Sequence, residues 1–159
     1  MSETAEETLQ QLLGSIHTIQ ISSITVDGKP NISYAPYIRD DKGFYYIFIS
    51  QLASHTNDLL HNPEVAIMLT EDEQNTRQIF ARTRVTYHCQ VETVTANEQS
   101  YAEVLDQFGM EFDGIIDVLR GLPDFILFRL IPQSGRFVMG FGQAYELEGE
   151  QFQQLRHVD

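Results

Sequence analysis

Apolar and polar residues alternate along much of the chain, and a period of two is typical of β-strands with one buried face. The longest such run covers residues 80–94, whose odd positions are mostly apolar and whose even positions include Arg82, Arg84 and His88. At about 3.3 Å per residue, this run is long enough to cross a small domain. We therefore interpret all of it as one strand around which the fold is organised.

Shorter strand-like runs lie on both sides of the long one. They cover residues 16–26, 31–38, 44–49, 64–70, 125–131 and 136–139. The pair Asp27-Gly28 suits a tight reversal, so the first two runs form a hairpin. Residues 132–135 predict a similar turn between the last two. The run 44–49 is apolar nearly throughout, which predicts a central strand covered on both faces.

The spacing of apolar residues changes to three and four in other parts of the chain, which indicates helices. Residues 2–14 predict a short N-terminal helix with Ser2 or Thr4 as its cap. A long apolar stripe from residue 97 predicts a second helix, which Gly109 or Gly114 divides in two. Residues 149–159 predict a surface tail.

Hairpins with a few helices predict one domain over residues 1–159, of the mainly β (α+β) class. The natural closure is a small antiparallel β-barrel with flanking helices, because closure removes exposed sheet edges. An open sandwich is the alternative. Side chains fill a barrel of this size, so a ligand must lie in an outer groove or between subunits. This argument favours a homodimer.

The composition of the chain indicates which kinds of partner it can bind and in which cell compartment it works. The chain has 10 Lys and Arg against 23 Asp and Glu, for a net charge of −13. Such a surface repels phosphate backbones and anionic lipids, so we expect no nucleic-acid and no membrane partner. The single Cys89 cannot form an internal disulfide, and the first residues do not resemble a signal peptide, so we expect a cytoplasmic protein.

Two stretches carry candidate chemistry. Arg82 and Arg84 share one face of the long strand, and scarce positive charge placed in this way indicates an anionic ligand. The alternative is that an arginine pairs with a neighbouring carboxylate at the sheet surface. The second stretch, residues 50–61, predicts a loop and a short helix capped by Ser54 or Thr56.

The entry to this short helix is the second candidate site. A helix N-terminus presents free amides that bind phosphate or carboxylate. Polar side chains surround it: Ser50, Ser54, His55, Thr56 and Asn57. An ordinary capped helix is the alternative interpretation.

Several motifs together resemble a known family. They are the hairpin at 24–37 with its Ser-Tyr-Ala-Pro motif, the segment 44–69, Phe-Ala-Arg-Thr-Arg-Val-Thr-Tyr at 80–87, and the ending 125–145. The combination resembles the FMN-binding split barrel of the pyridoxamine phosphate oxidase superfamily, and more narrowly its haem-utilisation branch, the HugZ/HutZ type. The resemblance implies a homodimer with two equivalent ligand sites, each formed by residues of both chains.

The resemblance also implies roles for single residues. Arg84 matches an arginine on the distal side of the haem, where it donates to the oxygen ligand. Asp124 matches an acid that hydrogen-bonds to the proximal histidine and raises its basicity. That histidine lies in a C-terminal tail, several residues beyond the position of His157. Either His157 takes its place as the iron ligand, or the ligand is missing and haem binding is weakened.

Three functions follow from these observations. The first is a haem-binding protein of haem iron utilisation, with oxygen-dependent haem degradation as an activity. The second is an FMN-dependent oxidoreductase, in which hydroxyls and amides at residues 54–57 replace the family's basic phosphate ligands and Arg82 or Arg84 supplies charge. Neutral donors bind a phosphate less strongly than charged ones. The third is a dimeric structural or regulatory protein without a cofactor.

Overall fold

The structure is a computed structural model that describes residues 4–158. The helices are α1 (Ala5–Ser15), α2 (Ser54–His61), α3 (Gln99–Phe112) and α4 (Ile115–Arg120). The strands are β1 (Thr18–Ile24), β2 (Pro30–Pro36), β3 (Ile38–Arg39), β4 (Tyr45–Ser50), β5 (Glu64–Thr70), β6 (Arg84–Val94), β7 (Phe125–Gly140), β8 (Gln143–Glu148) and β9 (Gln154–His157). The predicted mainly β, α+β class is confirmed.

All nine strands belong to one antiparallel sheet in the order β2-β1-β5-β6-β7-β4-β3, and β8 and β9 continue from β7. Strands from both ends of this order share one core, since Ala35 of β2 and Ile47 of β4 pack in the same cluster as Ile67 of β5. The sheet is therefore curled around its core. No ladder joins β2 to β4 in the part of the chain that the structure describes, so the barrel is split between them.

Two apolar clusters explain why β4 is buried on both faces. Tyr45, Ile47 and Ile49 point into the curled sheet. Tyr46 and Phe48 point outward, into a second cluster with α3 and α4. This strand has only the two-residue β3 beyond it, so it lies near one end of the sheet and not at its middle. The double cover was predicted correctly, and the central position was wrong.

The long strand is shorter than the alternation predicts. Residues Ile79–Ala81 form a 3-10 turn, and β6 begins only at Arg84. Phe80 is 83% exposed, so its apolar side chain does not extend the buried face of the strand. The pairing with β7 shifts between His88 and Cys89, where a bulge interrupts the ladder. Alternation alone detects neither feature, because a short turn and a bulge leave the local composition unchanged.

The predicted turn at 132–135 is wrong, because β7 continues through it as one 16-residue strand. Cys89 of β6 pairs with Pro132, whereas His88 pairs with Ser134. The sequence places turn-forming residues here because a bulge needs a residue that leaves the ladder, and proline is tolerated where no ladder donor is required. Gly135 lies against the Tyr87 ring, where a Cβ would come within 2.8 Å of a ring carbon.

The helices follow the sequence closely, with two corrections. Thr4 caps α1 in a reciprocal pair with Glu7, while Ser2 lies outside the described residues. The helix continues through Gly14 to Ser15, so it does not end at the glycine. The long stripe is divided into α3 and α4, as predicted, and the break falls at Asp113 and Gly114.

Residues assigned to a surface tail include the strand β9, which pairs with β8. Phe152, which precedes it, packs edge-on against the Tyr87 ring. Gly43 approaches this segment closely: a Cβ on it would lie 3.2 Å from the Cα of Gln151. The C-terminal segment is thus packed against the sheet.

Candidate functional site

Ser50, Thr56 and Asp124 meet where β4 ends and β7 begins, and we call them the Ser50 cluster. The Ser50 hydroxyl donates to Oδ2 of Asp124 at 2.7 Å. The Thr56 hydroxyl donates to the Ser50 carbonyl at 2.5 Å. The β4–β7 ladder fixes this geometry, since Ser50 pairs with Phe125. Two residues with separately predicted roles, Ser50 and Asp124, are therefore in direct contact.

Helix α2 begins at Ser54 after Ala53, whose methyl side chain offers no acceptor to the first turn. The prediction that Ser54 or Thr56 caps this helix is therefore wrong. Thr56 is fully buried and holds the Ser50 carbonyl, whereas Ser54 and Asn57 are exposed on the outer side of the helix. Among the residues predicted to bind a cofactor here, Ser54 and Asn57 are exposed, and the Ser54 hydroxyl also accepts from the Asn31 side-chain amide at 3.5 Å.

His55 is buried beside these exposed residues, with 8% of its surface exposed. Its Nε2 has no hydrogen-bond partner among the described residues. Burial lowers the pKa of His55, and the neighbouring Asp58 carboxylate opposes this shift. The ring is therefore neutral near pH 7 and has an unused nitrogen, which fits a residue that can contact a ligand.

Asp58 is a buried carboxylate that the sequence did not single out. Its Oδ2 accepts from the Ser23 hydroxyl at 2.7 Å and from the Asn31 amide at 2.8 Å. These bonds join α2 to the β1–β2 hairpin. The available signal was the position of Asp58 on the buried side of α2, next to Leu59, but its partners lie on distant strands and could not be identified from spacing.

Arg82 and Arg84 lie together at the start of β6. Arg82 donates to the carbonyl of Glu71 at 2.7 Å, and Arg84 donates to the carbonyl of Arg82 at 2.9 Å. Neither guanidinium pairs with a carboxylate among the residues that the structure describes, so the surface ion pair considered as an alternative is absent there. Each arginine has further N–H donors, because a guanidinium carries five.

One chain does not bring Arg84 and Asp124 together. Arg84 pairs with Val138, and Ser50 beside Asp124 pairs with Phe125. These two positions on β7 are 13 residues apart, roughly 40 Å along the strand. Arg84 and Asp124 therefore lie beside opposite ends of β7.

His157 lies on β9, away from the Ser50 cluster. Its Nε2 is 2.6 Å from the Gly142 carbonyl, and its ring packs edge-on against Tyr145. Tyr145 pairs with Phe137, one residue from the partner of Arg84. His157 and Arg84 thus lie near the same end of β7, while Asp124 lies at the other end.

Other chemistries find little support in residues 4–158. Burial raises the pKa of the Cys89 thiol to about 12, so this side chain is not a thiolate nucleophile near neutral pH. Within the described residues, His, Cys, Asp and Glu form no cluster of three or more that could hold a metal ion. None of the described helices has the length and apolar character needed to cross a membrane.

Comparison with known proteins agrees with this fold. Residues 5–139 match the pyridoxamine 5′-phosphate oxidase family, which is well over half of the chain. The chain therefore belongs to this family.

The particular relatives are of the HutZ type, which confirms the predicted branch. HutZ of Vibrio cholerae, described as a heme oxygenase, is 41% identical over 142 residues, or 89% of this chain and 80% of that protein. A crystal structure of Vibrio cholerae HutZ, described there as a heme storage protein, matches at a TM-score of 0.82 and 35% identity, over 87% of this chain and 99% of that one. A crystal structure of Campylobacter jejuni ChuZ matches at a TM-score of 0.85 and 29% identity, over 99% of this chain and 64% of that one.

Proposed function

We propose that this protein binds haem between two copies of the chain and serves haem iron utilisation by degrading haem with oxygen. The Ser50 cluster carries the proposal: Asp124 has one oxygen held by Ser50, while its Oδ1 accepts no hydrogen bond from any described residue. A carboxylate in this state is ready to accept from the far nitrogen of an iron-bound imidazole. The relatives named for haem support the same ligand.

The placement of Arg84 and Asp124 beside opposite ends of β7 supports the second copy. A homodimer would bring Arg84 of one chain near Asp124 of the other. The outer face of β2 supports this arrangement, since Ile32 is 74% and Tyr34 is 68% exposed, although both are apolar enough to favour burial. No described helix covers this face, whereas α3 and α4 cover the outer face of β4.

Residue roles follow from these positions. His157 is the candidate iron ligand. Its Nε2 would have to leave the Gly142 carbonyl, which it contacts at 2.6 Å, before Asp124 of the other copy could accept the second N–H of the iron-bound ring. Ser54, His55 and Asn57 would bind propionates through hydroxyl, imidazole and amide groups. Arg84 would donate to charge that develops on oxygen during the reaction. Bound haem supplies the oxygen chemistry itself, and the chain supplies orientation and electrostatics.

FMN is the second candidate, because no side chain caps α2 and a phosphate could accept from its first amides, although the Thr56 amide already donates to the Ala53 carbonyl at 3.2 Å. The nearest exposed groups there, Ser54 and Asn57, are neutral. They would hold a dianion less tightly than the charged ligands of flavin-binding relatives. Haem remains the first proposal because the relatives named for haem support it.

The test is the absorption spectrum of the purified protein during titration with hemin and, separately, with FMN. We expect a Soret band that saturates with hemin and no stable flavin band. A flavin band that survives gel filtration, together with no Soret band, would replace haem by FMN. If neither ligand binds, the third function replaces both: a dimeric structural or regulatory protein without a cofactor.

A further inference from the structure

We propose that Ser50 is a positioning residue that sets the orientation of Asp124 and so the strength of the bond from Asp124 to an iron-bound imidazole. The inference rests on the proposed haem function. It changes the role expected for Ser50, from direct contact with a cofactor to control of the carboxylate beside it. Nothing in the chain's sequence pattern indicates this role, because Ser50 and Asp124 are 74 residues apart.

The hydrogen bonds of Ser50 fix the direction of its hydroxyl proton. The Leu52 amide donates to the Ser50 Oγ at 3.1 Å, so Oγ is an acceptor on that side. A hydroxyl has one proton, and the proton is then left for Oδ2 of Asp124 at 2.7 Å. Ser50 is therefore a donor to Asp124, and Oδ2 must be the accepting oxygen.

The backbone around both residues holds this pair rigidly. The Ser50 carbonyl accepts from the Thr56 hydroxyl at 2.5 Å and from the Ala53 amide at 3.1 Å. The Gln51 amide donates to the carbonyl of Asp124 at 2.7 Å. Strand β4, the start of α2 and the start of β7 therefore meet at the backbone of Ser50 and Asp124, which these bonds fix. The Ser50 side chain cannot turn without breaking its bonds to Leu52 and Asp124, and the Asp124 side chain cannot turn without losing the Ser50 hydroxyl.

A carboxylate held in this way has one oxygen committed to Ser50, while its Oδ1 accepts no hydrogen bond from the described residues. Oδ1 of Asp124 can accept an imidazole N–H without first losing rotamer freedom, which strengthens the new bond. Leu52, which follows Ser50, is 91% exposed. An apolar residue at this position would be covered by a docked ligand or chain, and its burial would remove water that competes for Oδ1.

Replacement of Ser50 should weaken the hydrogen bond between Asp124 and the iron-bound imidazole without removing it. In Ser50→Ala, Asp124 keeps its charge but gains rotamer freedom and an unmet acceptor. We expect the Fe–imidazole stretching band of the ferrous haem complex to move to lower wavenumber. The haem affinity should fall by about threefold to tenfold, less than the roughly 10–100-fold typical when an outer-shell partner such as Asp124 is itself replaced. Ser50→Thr keeps the hydroxyl and should restore the wild-type band.

Ser23→Ala is the matched control. Ser23 donates to Oδ2 of Asp58 at 2.7 Å, the same bond to another carboxylate. Its loss should lower the melting temperature and leave the Fe–imidazole band in place. A general effect of losing a buried serine hydroxyl would move the band in both variants.

The experiment is resonance Raman spectroscopy of the ferrous haem complexes of the wild type, Ser50→Ala, Ser50→Thr, Asp124→Asn and the double variant Ser50→Ala/Asp124→Asn. In the Asp124→Asn background, loss of the Ser50 hydroxyl should move the band no further, because Ser50 acts through the carboxylate. An additional shift there would overturn the inference. In the ligand-free protein, NMR coupling constants of Asp124 should show one rotamer in the wild type and an average in Ser50→Ala.

The outcomes separate the two claims. A wild-type protein with no Soret band would refute the proposed function and this inference together. A wild-type protein that binds haem, with an unchanged band in folded Ser50→Ala, would refute the inference alone. If Ser50→Ala does not fold, Ser50→Cys, which keeps only a weak donor, takes its place, and a wild-type band in that variant would also refute it.

Discussion

Single hydrogen bonds decide which of the polar residues at the candidate site can act on a ligand. Thr56 and Ser50 use their hydroxyls within the chain. His55 has a buried nitrogen without a partner among the described residues, and Arg84 uses one donor on a backbone carbonyl. We therefore expect the residues with unused hydrogen-bond donors or acceptors to contact haem or oxygen.

Replacement of Arg84 tests its distal role. Arg84→Ala should leave the hemin affinity nearly intact and slow oxygen-dependent haem turnover about 10²–10³-fold, because it removes a donor to charge that develops only during the reaction. Arg84→Lys should restore part of the rate, since an ammonium lacks the planar fork. Arg82→Ala is the control, because the Arg82 side chain holds the Glu71 carbonyl. Unchanged turnover in Arg84→Ala, with an active wild type, would contradict the role.

His55 should make stability depend on pH. Burial lowers its pKa in the folded state, so between that pKa and the unfolded value of about 6.5 the unfolded chain binds more protons. The free energy of unfolding should therefore decrease as the pH falls below about 6.5, and His55→Gln should reduce this decrease. Urea denaturation between about pH 5 and pH 7.5 measures it. Asn57→Gln, an exposed change of a residue that does not titrate on the same helix, should keep the wild-type slope.

At the scale of elements, β6 and β7 determine the frame on which the site is placed. Their pairing runs from Arg84 opposite Val138 to Val94 opposite Leu127, with one bulge. The continuous β7 puts Arg84 and Asp124 beside its opposite ends. If residues 132–135 formed a turn instead, these two residues could lie close together in one chain.

Two glycines test this frame. Gly135→Ala should destabilise the protein by about 1–3 kcal/mol, because the new Cβ would overlap the Tyr87 ring at 2.8 Å. Gly109→Ala, within α3 and with nothing within 4 Å of the new Cβ, should stabilise it by about 0.5–1 kcal/mol. Denaturant midpoints of the two variants should move in opposite directions. Equal midpoints would show that Gly135 is not packed against Tyr87.

Sequence patterns predicted most elements because local physics determines them. Residues 64–70, an apolar run between Glu64 and Thr70, form β5 with the predicted bounds, and the apolar stripe after residue 97 forms α3 and α4. The failures have a common cause. The bulge near Pro132, the 3-10 turn at Ile79–Ala81 and the pairing of β9 with β8 depend on contacts with distant strands. The bond between Ser50 and Asp124 likewise depends on the β4–β7 register.

At the scale of the whole molecule, the exposed outer face of β2 is the expected contact between the two copies. Ile32→Asp/Tyr34→Asp should convert the dimer to monomers at micromolar concentration, since buried charges oppose association, and haem binding should be lost with it. Val118→Asp, on the exposed side of α4, should leave the dimer intact. If the Ile32→Asp/Tyr34→Asp variant is still a dimer, the contact between the two copies does not include the outer face of β2.

Whether two chains bind haem together is measured by sedimentation of the hemin-loaded protein, followed at both the protein and the Soret wavelengths. Soret absorbance should sediment with a species of twice the 18.2 kDa chain mass and with one haem per chain. Soret absorbance that sediments at the mass of a single chain, or a dimer that carries none, would contradict the binding of haem by two chains together.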